Sequence, residues 1–313
     1  MALTTRNLKK KARTRDGEIF GLETEATTIT DALPDLSVEA MRIAATVAHG
    51  VHGRRRAGSG ENFWQFRLFQ DNDSYSQIDW RRSAGSDHLY IREREWEAAH
   101  TVWLWPDISP SMAFKSHLSN TTKRDRCIVL MLATADLLAK GGERVALLGR
   151  TTPTASRRAI SKLAEALSSE VEANIVASGM PPPVALPRFA GTILFSDFLE
   201  PIDALTDRIG QLAANNVSGH LVQILDPAEE TLPYEGRTEF LGPDGHTRWI
   251  ADRAESMRDT YIKRLNNHRE ALKDMAHRLG WSFMIHHTDR PASEPLLNLI
   301  MRLQAPVRTG GIS

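Results

Sequence analysis

The sequence predicts an α/β protein built on a mainly parallel sheet with helices on both faces. Two observations carry that reading. From about His100 onward, short apolar runs halted by Pro, Gly or Asp alternate with stretches of helical period, the rhythm of strands joined by covering helices. The runs themselves are almost wholly apolar, as in Thr101-Val102-Trp103-Leu104-Trp105 and Thr192-Ile193-Leu194-Phe195, which suits strands buried on both sides.

Taken in order, residues 1–36 are polar and without period, a loosely ordered lead-in ending in the turn-like Leu33-Pro34-Asp35. Ser37 is read as the cap of a short helix carrying Val38, Met41, Ala45 and Ala48, with Gly50 as its stop. His52 to Gly60 is Arg- and Gly-rich, a loop or arm, and Phe63 to Trp96 is dense in aromatics and charge. The first strand, 101–105, ends at Pro106-Asp107. A helix over Lys123–Lys140 closes at Gly141-Gly142, strand Arg144–Leu148 follows, and a helix spans about 156–169. A Pro-rich link (Pro181-Pro182-Pro183, Pro187) leads into strand Thr192–Phe195, helix 200–214 and strand Val217–Leu225.

Gly242-Pro243-Asp244-Gly245 marks a hairpin between Thr238-Glu239-Phe240 and Arg248-Trp249-Ile250. The stripe Ala254, Met257, Tyr261, Leu265, His268, Leu272, Met275, Leu279 predicts a long helix over about 252–279 with one face on the sheet. His268 lies within that stripe and reads as a satisfied structural histidine. Strand Trp281–Ile285 and helix 293–303 finish a chain that divides into 1–36, 37–99 and 100–313.

Lys+Arg and Asp+Glu both total 39, so the formal charge is zero and the global basic excess of a nucleic-acid binder is missing. Cys127 is the sole cysteine. It sits in an apolar run, reads as a buried thiol, and fits a reducing compartment. The basic N-terminus is not followed by an apolar leader segment, and nowhere do 18 apolar residues run together. A cytoplasmic protein without membrane insertion is expected.

Ligands of open α/β sheets bind at the carboxyl ends of the strands, beside the switch in strand order. Two strands end in suitable groups, one in Asp107-Ile108-Ser109-Pro110-Ser111-Met112 and the other in Ser196-Asp197-Phe198. Alternate loop residues can point the same way, so Asp107, Ser109 and Ser111 can converge on one oxygen-lined point with Asp197 from the neighbouring strand. Such a set suits a hard cation, Mg2+ or Mn2+, with Asp107 acting through water. Asp and Ser are also ordinary capping residues, and that plainer reading stands beside the metal one.

A second set of residues makes the chain recognisable. Phe66-Arg67-Leu68-Phe69, Asp71-Asn72-Asp73, Ile78-Asp79-Trp80, Ser83-Ala84, Leu89-Tyr90-Ile91-Arg92-Glu93 and Glu97 run in order into the D-x-S-x-S-M of residues 107–112. In that order and spacing the chain resembles a bacterial family, domain of unknown function 58. The resemblance implies a von Willebrand A-like (Rossmann-like) sheet preceded by a small β-rich insertion. It also implies a metal-ion adhesion site at Asp107, Ser109, Ser111 and Asp197. Its further implication is a non-enzymatic adaptor that works with a MoxR-type AAA+ ATPase on a client protein. The family-signature residues Arg67, Asp73, Asp79, Trp80, Arg92 and Glu93 then either lock the insertion in place or present a partner surface, with packing favoured for Trp80. One departure stands out. A complete adhesion site carries a threonine shortly before the Asp197 strand, and Val171 to Ala190 contains none; Thr151, Thr152 and Thr154 lie one loop too early. Occupancy by Mg2+ or Mn2+ is therefore left open.

Two rival readings remain. A Mg2+-dependent hydrolase would use Asp107 and Asp197, but the second aspartate of a D-x-D is replaced by Ser109, and neither serine has an evident base. His286-His287 read as solvent-exposed residues at a strand end. Nucleic-acid binding would use Arg54-Arg55-Arg56 with Arg81-Arg82 and nearby aromatics, against the interleaved Asp71, Asp73, Asp79 and Asp87.

Overall fold

The computed structural model describes residues 4–5, 32–48, 63–68, 80–86, 88–94, 100–156, 158–172, 178–242 and 247–303. In chain order these form β1 (Thr4–Thr5), α1 (32–48), β2 (Phe63–Leu68), α2 (Trp80–Ser83), β3 (Tyr90–Arg94), β4 (Thr101–Pro106), α3 (Lys123–Lys140), β5 (Arg144–Leu147), α4 (Ala159–Glu172), β6 (Gly191–Ser196), α5 (Ile202–Ala213), β7 (Ser218–Leu225), α6 (Pro227–Thr231), β8 (Thr238–Leu241), β9 (Arg248–Ala251), α7 (Arg258–Arg278), β10 (Ser282–His287) and α8 (Ser293–Leu303). The chain separates into two compact units, residues 1–51 with 101–313, and residues 52–100.

The larger unit holds a five-stranded sheet in the order β10-β7-β6-β4-β5, parallel at every pairing. It is the α/β class the apolar runs predict. Alternation along the strands sends side chains to two cores. Val102 and Leu104 of β4 join Ile193 and Phe195 of β6 beneath α1, α3, α4 and α8. On the opposite face, Trp103, Trp105, Leu194 and Leu221 pack with Leu205, Ile209 and Leu212 of α5 and with Leu272, Met275 and Ala276 of α7. Trp281 packs directly over Gly219 and leaves no room there for a Cβ; its indole donates to the Val217 carbonyl at 2.9 Å. β8 and β9 pair antiparallel across the expected hairpin, whose turn residues 243–246 lie outside the described set. A small core of Leu232, Phe240, Ala251 and Ala254 seals it.

Three local expectations change. Ser37 does not cap α1, which is already helical five residues earlier at position 32. Its Oγ bonds back to the Leu33 carbonyl at 2.7 Å, as a serine inside a helix can. α1 also belongs to the larger unit rather than with residues 37–99: Leu33, Leu36, Ala40, Ile43, Ala44 and Val47 lie in that core. Lastly, β10 runs two residues beyond Ile285 and buries His286, 3% exposed.

In the smaller unit β2 and β3 pair antiparallel, with Phe66 opposite Arg92 and Arg67 opposite Ile91. This is the β-rich segment expected from the signature, which places Arg67, Arg92 and Glu93 on paired strands. Trp80 heads α2 and is 63% exposed, contrary to the packing expected of it. Asp73, Asp79 and Arg54-Arg55-Arg56 lie outside the described residues.

Candidate functional site

Strands of the sheet follow one another from β4 outward to β5, then return across β4 to β6. The reversal opens the binding crevice of an open sheet between the carboxyl ends of β4 and β6. Asp107 follows β4 there and Asp197 follows β6, and the Asp107 amide donates to the Phe195 carbonyl at 2.8 Å.

All four residues that the motif singles out meet at this point. The Asp107 carboxylate accepts the Ser109 amide on Oδ1 at 2.8 Å and the Ser196 hydroxyl on Oδ2 at 2.6 Å. Ser109 Oγ and Ser111 Oγ are 3.1 Å apart, and Ser111 donates to Asp197 Oδ2 at 3.1 Å. Asp197 Oδ1 accepts the Leu199 amide at 3.2 Å. Asp107, Ser109 and Asp197 are buried, whereas Ser111 is half-buried.

A cation is already present among them. Lys123, the first residue of α3 and 0% exposed, donates its Nζ to Asp197 Oδ2 at 2.8 Å and to Glu229 Oε1 at 2.7 Å. A lysine opening a helix stands against the positive end of the helix dipole, so its place is set by these two carboxylates. Glu229 belongs to a capping box that starts α6: Asp226 Oδ1 accepts the Ala228 amide, and Glu229 Oε2 accepts the Asp226 amide, both at 2.9 Å. Asp226 Oδ2 in turn accepts the Ser116 amide at 2.9 Å. The loops after β4, β6 and β7 are thus tied into one network. Gln223 adds to it by donating to the Asp197 carbonyl at 2.8 Å.

The charges follow from the contacts. Burial alone would push the Lys123 ammonium toward neutrality, but Asp197 and Glu229 outweigh it and hold the pKa above the ordinary lysine value. Burial would raise the Asp197 carboxyl, and the charge and hydrogen bond of Lys123 reverse that, leaving it below the usual range. Asp107 has no such partner; burial first, and then the charge of Asp197, raise it to about 6.

A divalent ion of the kind the motif suits needs oxygen ligands with free lone pairs in near-octahedral array. Both oxygens of Asp197 are engaged by donors within the protein, one of them by an ammonium as well as a hydroxyl. What remains is two neutral hydroxyls beside Asp107, with no threonine in residues 178–190 to complete the shell. This donor set does not fit a tightly held Mg2+ or Mn2+. Among the described residues no three carboxylate, imidazole or thiol side chains gather in an arrangement suited to a metal.

Beside the serines the same end of the sheet is open. A cavity of about 320 Å3 lies against Ile108 of the D-x-S-x-S loop, with walls that include Leu148, Met180 and Pro183 and with Arg150 and Arg208 among its lining residues. Arg208 is fixed by donation to the Pro181 carbonyl.

Lys123, Asp226 and Glu229 were not legible as site residues. The D-x-x-E spacing after β7 signals a cap, but nothing in the sequence says that the cap faces Asp197. Thr151 turns away to its own strand, accepting the Leu147 amide at 2.8 Å, and Thr154 bridges Val145. Cys127 is buried as expected, its thiol against the Phe195 carbonyl at 3.4 Å. His268 is satisfied by the Phe198 carbonyl at 2.6 Å. His287 contacts Glu230 at 3.1 Å rather than standing free in solvent.

Comparison with known proteins agrees with the signature. The profile of the family described as protein of unknown function DUF58 matches residues 65–271, and the chain belongs to that family. It is 24% identical to uncharacterized protein Rv1480 of Mycobacterium tuberculosis and, equally, to uncharacterized protein Mb1516 of Mycobacterium bovis, over 85% of this chain and 86% of theirs. Among solved structures it is similar to the conserved hypothetical protein BatB from Bacteroides thetaiotaomicron, at 12% identity and a TM-score of 0.36, covering 65% of this chain and 98% of that one. Among the described residues, no helix is long and apolar enough to cross a membrane.

Proposed function

We propose that this chain is a von Willebrand A-like adaptor without catalytic activity of its own, which docks a MoxR-type AAA+ ATPase and a client protein. The observation that supports it best is the open half of the strand end. Half-buried Ser111, Ile108 and a cavity walled by Met180 and Pro183, with Arg150 and Arg208 in its lining, offer apolar contact and positive charge to an acidic-apolar protein segment.

The chemistry beside the cavity favours binding over hydrolysis. Ser111 bonds to Asp197, but a carboxylate held below its usual pKa by a buried ammonium is a poor proton acceptor. Ser109 shares its hydroxyl with Ser111 and faces Asp107, whose two oxygens already accept the Ser109 amide and the Ser196 hydroxyl. The test uses the purified full chain and a purified MoxR-type AAA+ ATPase from the same source, with binding measured at equilibrium. Wild type binds, and Pro183→Asp, at an exposed wall of the cavity, weakens binding by about tenfold or more, equivalent to about 1.4 kcal/mol. Absence of wild-type binding to the ATPase, with and without nucleotide, contradicts the proposal.

A further inference from the structure

Three chain segments that approach the crevice from different strands converge on one side chain. Lys123 opens α3 after the β4 loop, Asp197 follows β6, and Glu229 lies one turn past the end of β7. The ammonium is fully buried and bonds to one oxygen of each carboxylate. The second oxygen of each is bonded to a backbone amide, from Leu199 and Asp226 respectively. Phe114 lies 5.9 Å from Nζ and covers it with a ring face. Ser111 completes the contact to Asp197. A buried charge persists only when paired and hydrogen-bonded in this way.

We infer that the Lys123 ammonium is the resident cation of this strand-end site, filling the electrostatic place that a divalent ion takes beside a D-x-S-x-S loop. The native site therefore takes no Mg2+ or Mn2+, and removing the ammonium opens it to them. The carboxylates and serines keep their positions around a single positive centre, supplied here by the chain itself. Docking at the neighbouring cavity is then independent of metal.

The inference goes beyond the adaptor reading and is tested without the ATPase, so either can fail alone. Mn2+ is titrated into the full chain at neutral pH, with bound metal followed by the loss of free Mn2+ resonance signal. Thermal unfolding is recorded in EDTA and in excess Mg2+. Wild type is expected to show no saturable Mn2+ binding and one Tm in both buffers. Lys123→Ala, and the charge-balanced pair Lys123→Ala with Glu229→Gln should the single variant not fold, are expected to gain one saturable Mn2+ site and a Tm several degrees higher in Mg2+ than in EDTA. Saturable binding by wild type that is lost in Ser109→Ala and Ser111→Ala overturns the inference. So does a folded Lys123 variant that gains no metal.

Discussion

At the carboxyl end of the sheet, the half built on β6 and β7 is closed and the half built on β4 and β5 is open. The closed half holds Lys123, Asp197, Glu229 and Asp226 at 3% exposure or less for the first two and the last, and 5% for Glu229. The open half holds half-buried Ser111 and the cavity against Ile108, Met180 and Pro183. Both flank the same reversal in strand order. The difference teaches that a crevice suited to ligands can be divided, with one side spent on fixing loop positions and the other left to make contact.

Breaking the closed half has the largest expected effect. Lys123→Met leaves two buried carboxylates without their cation, and losing one partner of a buried pair costs about 3–5 kcal/mol. Urea unfolding at neutral pH is expected to show that loss as a lower midpoint with an unchanged slope. Asp107→Ala comes next. It leaves the Ser109 amide and the Ser196 hydroxyl without their acceptor, and a buried donor left unsatisfied costs about 1–3 kcal/mol, read by the same titration.

A third expectation concerns acid, at two buried histidines of β7 and its neighbour β10. His286 on β10 and His220 on β7 are held neutral, first by burial and then by Arg126 and Arg302 respectively, with pKa values lowered to about 3 and about 4. The unfolded chain takes up these protons below pH about 6.5 and the folded chain does not. Their contribution to stability is therefore complete above that pH and falls as pH drops toward 4 and then 3, by about 1.4 kcal/mol per unit for each histidine. Unfolding midpoints between pH 7 and pH 4 check this, and His286→Gln is expected to flatten the dependence.

The smallest effect on stability is expected in the open half. Pro183→Asp alters an exposed residue that belongs to neither core and is expected to stay within about 0.5 kcal/mol of wild type. A larger loss would mean that the cavity wall supports the fold and that the two halves are not separate in role.

The sequence shows this division unevenly. Strands β4 and β6 were legible because strands buried on both faces leave continuous apolar runs, and the polar residues that halt those runs pointed to Asp107 and Asp197. The stripe on α7 was legible from its three- and four-residue spacing, down to the satisfied His268, but its first members, Ala254 and Met257, precede the helix and pack in the small core beside β8 and β9. Ser37 misled because a serine before an apolar stripe suits both a cap and a back-bonded position inside the helix, and only the packing of Leu33 and Leu36 decides. His286 misled because the end of β10 is set by its pairing with Leu225 and Ile224 of β7 rather than by its own residues. Lys123 carried no signal at all. Its partners lie 74 and 106 positions away, and a lysine at the head of a helix ordinarily reads as solvated.

The most direct test of the account is binding of the purified MoxR-type ATPase to wild type, in Mg2+ and in EDTA, alongside Pro183→Asp with its unfolding midpoint measured in parallel. Equal wild-type affinity is expected in both buffers, with a loss of about tenfold or more in Pro183→Asp at unchanged stability. Wild-type binding abolished by EDTA with the ATPase nucleotide-free, or binding indifferent to Pro183→Asp, would contradict it.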